Sequence, residues 1–391
     1  MFQPMETLEG RVLMHAGHEH AFEVMGSLVP WMTAPLTSMP TSPPPVSPPG
    51  SPPVSPPPPV SPPPVSPPPV LPPPVSPPPV SPPTVPPPPT ATTFTTINWA
   101  TKKNSPIIRA EALTATHNDR LYVFGGFSGA LGPVVDSHYY DPATNEWTAI
   151  TPLPQPITHA GVAQDADNVY FVGAYVGNGK GYGQVFGSDK VWRYNFAANT
   201  YSEIAKLPKP LAGGGSAIVD GKLHYFGGYN LNRTDTDIHL VLDLNNQAAG
   251  WKNLAPMLLS RNHQGAVAFG GKVYSIAGQT GTDAGLITRS NVEVYDPATN
   301  AWTPAAPIPK AVSHIASATF VMDDRIIVMG GESAHNVQVR ECWAYTPATN
   351  TWVQLSSLPS ARFSGVATDI GGKIIFATGG STATTWVGTP G

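Results

Sequence analysis

The chain of 391 residues has a single cysteine, Cys342, so no disulfide can close within it and cysteine use says nothing of its redox compartment. Charge is scarce as well: Asp, Glu, Lys and Arg together make up 12% of the residues, and the formal net charge is −4. So even a balance offers no basic face for nucleic acid and no argument for a membrane surface. No run of ~18 or more apolar residues occurs, so no transmembrane helix is expected. The first forty residues also lack the basic stretch and clean apolar core of a secretory signal peptide.

What the sequence has in excess is proline, 49 residues, far above globular usage. More than half of the positions from Thr41 to Thr90 are proline, in iterations of V-S-P-P-P. Such a run has few amide donors for a ladder and almost no side chains for a core. Three regions are therefore expected: an N-terminal segment at 1–40, a disordered polyproline spacer at 41–92, and a folded domain at 93–391. At ~3.1 Å per residue the spacer would hold that domain on the order of 100 Å from whatever the N-terminus grips.

The folded part repeats itself. "YDPATNEW" at Tyr140 to Trp147 returns as "YDPATNAW" at Tyr295 to Trp302 and as "YTPATNTW" at Tyr345 to Trp352. Asp or Asn caps the turn, Pro pre-sets φ at its second position, and aromatics bracket it as hairpin strands prefer. A second signal keeps the same beat, an apolar strand ending in two small residues. It closes at Gly126, Ala174, Gly228, Gly278, Gly331 and Gly379, at intervals of 48 to 54 residues. The aromatics Trp147, Tyr201, Trp251, Trp302 and Trp352 follow, one fewer than the glycine signals. Trp99, 48 residues before Trp147, supplies the sixth from the other end of the domain. The expected fold is all-β, a six-bladed β-propeller closed by an N-terminal strand, with residues near Trp99 paired to those near Trp386.

Strand, Gly-Gly, Tyr, D-P-A-T-N, Trp, then an L-P connection as in "PLPQP", "KLPKP" and "SLPSAR" resembles the kelch repeat family over 93–391. Blades two, four and six depart from Gly-Gly with Gly173-Ala174, Ala277-Gly278 and Thr378-Gly379-Gly380, and blade three replaces the Asp-Pro turn with "LDLNNQAAGW". Near the N-terminus, "LEGRVLMHA" is similar to the LEPR-XLL sorting segment of exported bacterial proteins through Leu8, Glu9, Arg11 and Leu13, with Gly10 and Met14 departing from it. That resemblance implies an exported or cell-surface protein. "HAGHEH", His15 to His20, reads as a flexible histidine-bearing segment rather than a metal site.

Repeat residues are spent on packing, so function must come from positions that differ from blade to blade. Counting back eleven and nine places from the start of each Gly-Gly strand, with two more in blade five, gives Arg109 and Glu111, Ile157 and His159, Leu211 and Gly213, Arg261 and His263, Val312 and His314, and Arg362 and Ser364. In kelch propellers the first strand is innermost, so the resemblance implies that these side chains ring one end of the channel, with Arg109, Arg261 and Arg362 holding carboxylates. The alternative is structural, each arginine hydrogen-bonding nearby carbonyls or pairing internally with Glu111. The candidates are thus Arg109, Glu111, His159, Arg261, His263, His314 and Arg362. No cofactor and no metal are expected, because histidines in blades two, four and five would stand too far apart for one ion.

The resemblance also raises enzymes. Copper radical oxidases of galactose oxidase type need a Cys cross-linked to Tyr, and Cys342 beside Trp343 reads as core. Kelch-type sialic acid epimerases imply an arginine clamp with Glu111 or His159 as acid or base. The preferred reading is a non-catalytic recognition or adhesion module, a monomeric propeller on a spacer, binding a protein or an acidic glycan. The insert loops Tyr175 to Lys190, Tyr229 to Asp237 and Gln279 to Ser290 lengthen blades two to four on one side.

Overall fold

The computed structural model describes residues 93–129, 132–177 and 184–391; the sorting segment expected at 1–40 and the spacer expected at 41–92 lie outside the described residues. Short alternating runs bounded by Gly, Asn and Asp form antiparallel strands throughout. Six four-stranded sheets are present among the described residues. Sheet one consists of Leu113–His117, Arg120–Phe124, Ser137–Asp141 and Glu146–Ala149. Sheets two to five repeat that order, with first strands at Gly161–Gln164, Gly215–Val219, Gly265–Phe269 and Thr319–Met322.

Sheet six is completed from both ends of the domain. Val366–Ile370, Lys373–Ala377 and Thr385–Pro390 are joined by Ile97–Lys102 on the outside. Trp99 pairs with Gly388 and Thr101 with Trp386, the pairing expected from the count of aromatics. The first strands lie side by side in the order of the sheets, and the sixth returns to the first. This is a β-propeller, and its core is a set of wedges between neighbouring sheets. Phe124 meets Phe171 between sheets one and two, for example, and Tyr140 packs among Val366 and Ile375 between one and six.

The repeated residues explain themselves as links between sheets. The second member of each small pair donates its amide to a carbonyl of the next sheet: Gly126 to Ile157, Ala174 to Leu211, Gly228 to Arg261, Gly278 to Val312, Gly331 to Arg362 and Gly379 to Arg109, at 2.8 to 3.1 Å. The circle closes after six steps. A Cβ on Gly125, whose φ is +52°, would stand 2.6 Å from the Ile157 carbonyl oxygen, so the first member is small because backbone passes against it.

At the outer edge the ring nitrogens of Trp99, Trp147, Trp251, Trp302 and Trp352 donate to carbonyls at the end of the preceding sheet, and the Tyr201 hydroxyl does the same to Thr151. The Asn of each D-P-A-T-N turn takes the left-handed conformation that Asn tolerates. Its side-chain oxygen accepts from its own Tyr hydroxyl and from an amide of the sheet before: for Asn350, Tyr345 at 2.7 Å and Ala306 at 2.8 Å. Cys342 is fully buried among Ile327, Met329 and Ala344, with its thiol pushed up to about 12 by burial.

Candidate functional site

The two positions selected per repeat separate cleanly. Those eleven places back form the wall of the propeller: Arg109, Ile157, Leu211, Arg261 and Val312 are buried, and their carbonyls, with that of Arg362, are the acceptors in the circle above. Those nine places back, Glu111, His159, Gly213, His263, His314 and Ser364, all take a left-handed φ between 52° and 67°. The turn is passed from sheet to sheet, because Gly213 N–H donates to His159 O, His263 N–H to Gly213 O and Ser364 N–H to His314 O. The side chains of Glu111, His159, His263 and His314 line the pocket at the axis, and those of Arg109, Arg261 and Arg362 are not among its lining residues.

The arginines therefore do not form a clamp. Arg109 gives its guanidinium to the carbonyls of Gly125 at 2.7 Å and Asp136 at 2.8 Å and lies 2.6 Å from His138 Nδ1. Burial lowers it to about 10. Arg261 is held in the wall by an ion pair with Glu293 and by the Ser275 hydroxyl at 2.8 Å. Arg362 bonds Ser360 and the Ala361 carbonyl and lies over the Trp386 ring at 4.8 Å. Each is engaged by its own neighbourhood, Arg109 and Arg362 largely by backbone carbonyls and Arg261 by Glu293 rather than by Glu111.

Glu111 and the three histidines are what the fold brings together. The expectation that the histidines stand too far apart to meet is overturned: the ring centres of His159 and His263 are 4.8 Å apart and those of His263 and His314 4.2 Å. The first strands converge on the axis, so one residue from each sheet reaches the same point whatever its distance in sequence. Glu111 Oε2 is 3.9 Å from His159 Nε2, Glu111 Oε1 is 3.7 Å from His314 Nε2, and the Ser364 hydroxyl donates to Glu111.

Burial raises the Glu111 carboxyl above its usual range, with the His314 charge opposing. His314 also pays a burial penalty, yet its contact with Glu332 at 3.0 Å and the charge of Glu111 hold it above the ordinary histidine value. Burial acts against Glu332 too, but the same contact holds its carboxylate below the usual range.

Above this floor lies a pocket of about 40 Å³, lined also by Phe127, Tyr175, Tyr229, Gln279, Glu332 and Phe363. Tyr175 stacks on His159 with centres 4.1 Å apart. All three insert loops contribute to the rim, through Gln184, Arg233 and Leu286 among others, and Arg233 is paired bidentately with Asp283 at 2.6 and 3.1 Å. Beneath the floor the first strands enclose a channel of about 290 Å³, walled by residues such as Thr114, Gln164, Ser216 and Thr368. Residues following the small pairs, Phe127, Tyr175, Tyr229, Gln279 and Glu332, are lining residues that the sequence reading missed. One step further in the same alignment finds them, because each bridges to the residue just before the axial one, as Tyr229 does to Ala212 and Glu332 to Ser313.

Fold and site define a kelch-repeat β-propeller with a polar, histidine-rich mouth. The profile of the Attractin/LZTR1 beta-propeller family matches residues 90–339, and the chain belongs to that family. Kelch-like protein terF of Aspergillus terreus is 24% identical over 313 residues, 75% of this chain and 66% of that protein. A kelch repeat-containing protein of Arabidopsis thaliana is 26% identical over 72% of this chain and 71% of its own. Kelch-like protein 25 of Xenopus tropicalis is 29% identical over 51% of this chain, which spans 34% of its length. Among solved structures, that of YjhT covers 73% of this chain and 95% of its own, with a TM-score of 0.58 at 20% identity.

Proposed function

We propose that this chain is a six-bladed recognition module, carried on a polyproline spacer by an exported protein, and that a protein partner docks on its mouth. The observation that carries the reading is the pocket at the axis. It is lined by residues that differ from sheet to sheet, with Tyr and Phe faces around a histidine and carboxylate floor. Its lining argues for a protein: the aromatic faces of Phe127, Tyr175, Tyr229 and Phe363 surround the polar floor, the kind of pocket into which one anchoring side chain of a partner inserts. An acidic glycan fits less well than the sequence suggested, since the nearby carboxylates Glu111 and Glu332 line the pocket and the arginines meant to hold it are engaged elsewhere. The similarity to kelch-like proteins supports a binding role without naming a partner.

One observation favours a second reading, a carbohydrate isomerase. Glu111, raised by burial and close to His159, is the kind of pair that moves protons. A single comparison separates these readings: affinity capture and a glycan array with the full chain, beside Leu286→Arg and Gln184→Arg, which fill the rim without touching the core. Partners lost with both variants while the array stays silent are expected. Glycan binding lost with both variants would favour the sugar reading, to be followed by an anomer-exchange assay. Binding that neither variant changes would place the ligand off the mouth altogether.

A further inference from the structure

Glu111, His159 and His263 come from sheets one, two and four, and each offers one ligand atom, all within 4.8 Å of one another. Gripping a partner's side chain needs one or two such groups. Three converging donors, one of them a carboxylate partly withdrawn from water, cost desolvation that a hydrogen-bonding floor does not require. The geometry points to a divalent transition-metal site of zinc type, with Glu111, His159 and His263 as its ligands at the floor of the mouth.

The donor set fits. Two imidazoles and one carboxylate are what zinc takes where three protein ligands leave a fourth position to an incoming group, and the pocket lined by all three residues gives that group its space. The surroundings fit as well. His159 Nδ1 lies 2.6 Å from the Thr158 hydroxyl. His263 Nδ1 lies 2.5 Å from Asn262 Oδ1 and 2.9 Å from the Tyr229 hydroxyl, and Asn262 in turn donates to Asp235 at 2.5 Å. An oxygen held at Nδ1 fixes the ring and its tautomer so that Nε2 serves the metal, the arrangement usual behind metal-bound histidines.

Position is equally well fixed. All three ligands sit at the same left-handed step, φ 52° to 55°, on the entrance to innermost strands, so the frame of the propeller sets their spacing rather than a loose loop. A tetrahedral ion at ~2.1 Å from its ligands keeps their atoms roughly 3.4 Å apart. Closing from 4.8 Å asks for side-chain torsion adjustments on the order of 1 Å and no backbone movement. His314 and Glu332 flank the site as a bonded pair, near the open position.

The test uses the untagged full chain with His15, His18 and His20 each changed to Ala, so that the N-terminal histidines do not compete. Zinc is titrated against a chromogenic chelator, and cobalt absorption is recorded in parallel. One zinc per chain and the intense visible bands of four-coordinate cobalt are expected. Binding should weaken about tenfold or more with His263→Gln or His159→Gln, and about tenfold with Tyr229→Phe, which loosens His263 while keeping every ligand. No zinc bound, or binding undiminished by His159→Gln and His263→Gln, overturns the site. Should those variants fail to fold, a weak octahedral cobalt spectrum from the chain that keeps His159 and His263 overturns it equally. Zinc alone is the probe and no partner is needed, so this outcome is independent of what the mouth recognises.

Discussion

Single residues here carry loads that their chemical type does not announce. Arginine in an innermost turn reads as a ligand contact, yet Arg261 and Glu293 are buried together in the wall. Removing one partner of such a pair leaves an unpaired buried charge, at a cost of about 3–5 kcal/mol. Arg261→Ala is therefore expected to lower the urea midpoint sharply. A variant that keeps full stability while losing a ligand would return Arg261 to the binding site. Gly125→Ala tests the small pairs in the same way. The new methyl would meet the Ile157 oxygen and Leu153 Cδ1 at 2.6 and 2.8 Å in a left-handed backbone, so a loss of about 2 kcal/mol or more is expected in equilibrium unfolding.

The sequence showed which positions vary between repeats but not which way each faces. Alternation along a strand predicts sides only once the turn before it is known. The left-handed step that sends Glu111 inward and keeps Arg109 in the wall has no signature when Glu, His, Ser and Gly all adopt it.

At the scale of an element, sheet three departs most from the repeat and holds an unusual pair. His224 and His239, on neighbouring strands, are buried with Nδ1 and Nε2 3.0 Å apart. Burial lowers them to about 4 and about 3. In the unfolded chain both take a proton near pH 6.5, whereas the folded chain resists until far lower, so stability falls as pH drops through 6.5. The loss reaches on the order of 3 kcal/mol for each histidine by pH 4.

Between pH 6.5 and 5 the lowered carboxylates such as Asp165 and Asp296 have yet to titrate, while His138, also lowered by burial, adds to the effect and the raised carboxyls of Glu111 and Asp235 oppose it. His314, held above its usual value, works in the opposite direction. Urea midpoints of the unsubstituted chain and of His224→Gln with His239→Gln are thus best compared as a difference, and the double variant should show the shallower pH slope. Equal slopes would mean that these histidines are charged in the fold. Strands, turns and their order were legible throughout, because D-P-A-T-N and the small pairs are local chemistry. The replacement turn of sheet three, with its short helix Gln247–Ala249, was legible only as a break in the pattern.

For the whole molecule, the decisive element is the strand Ile97–Lys102, which the beat of the aromatics placed correctly from sequence alone. Trp99 makes the same bond to the sheet before it, Ser357 O at 3.0 Å, that the other outer tryptophans make. A chain starting at Asn104 loses that strand and leaves Thr385–Pro390 as an open edge. Compared with a chain starting at Thr93, it is expected to melt several degrees lower and to self-associate in sedimentation. Unchanged melting would show that sheet six does not need its outer strand. The histidine cluster was illegible for the complementary reason: its members lie up to about 200 residues apart in the chain, and only a closed ring makes them neighbours.

That closure also sets a timetable for biosynthesis. The strand that seals the propeller leaves the ribosome first, and its partner follows roughly 290 residues later. At 5–20 residues per second the wait is on the order of 15–60 s. Throughout that interval the nascent chain carries one strand of sheet six without the three that complete it, an unpaired edge open to other chains until synthesis ends.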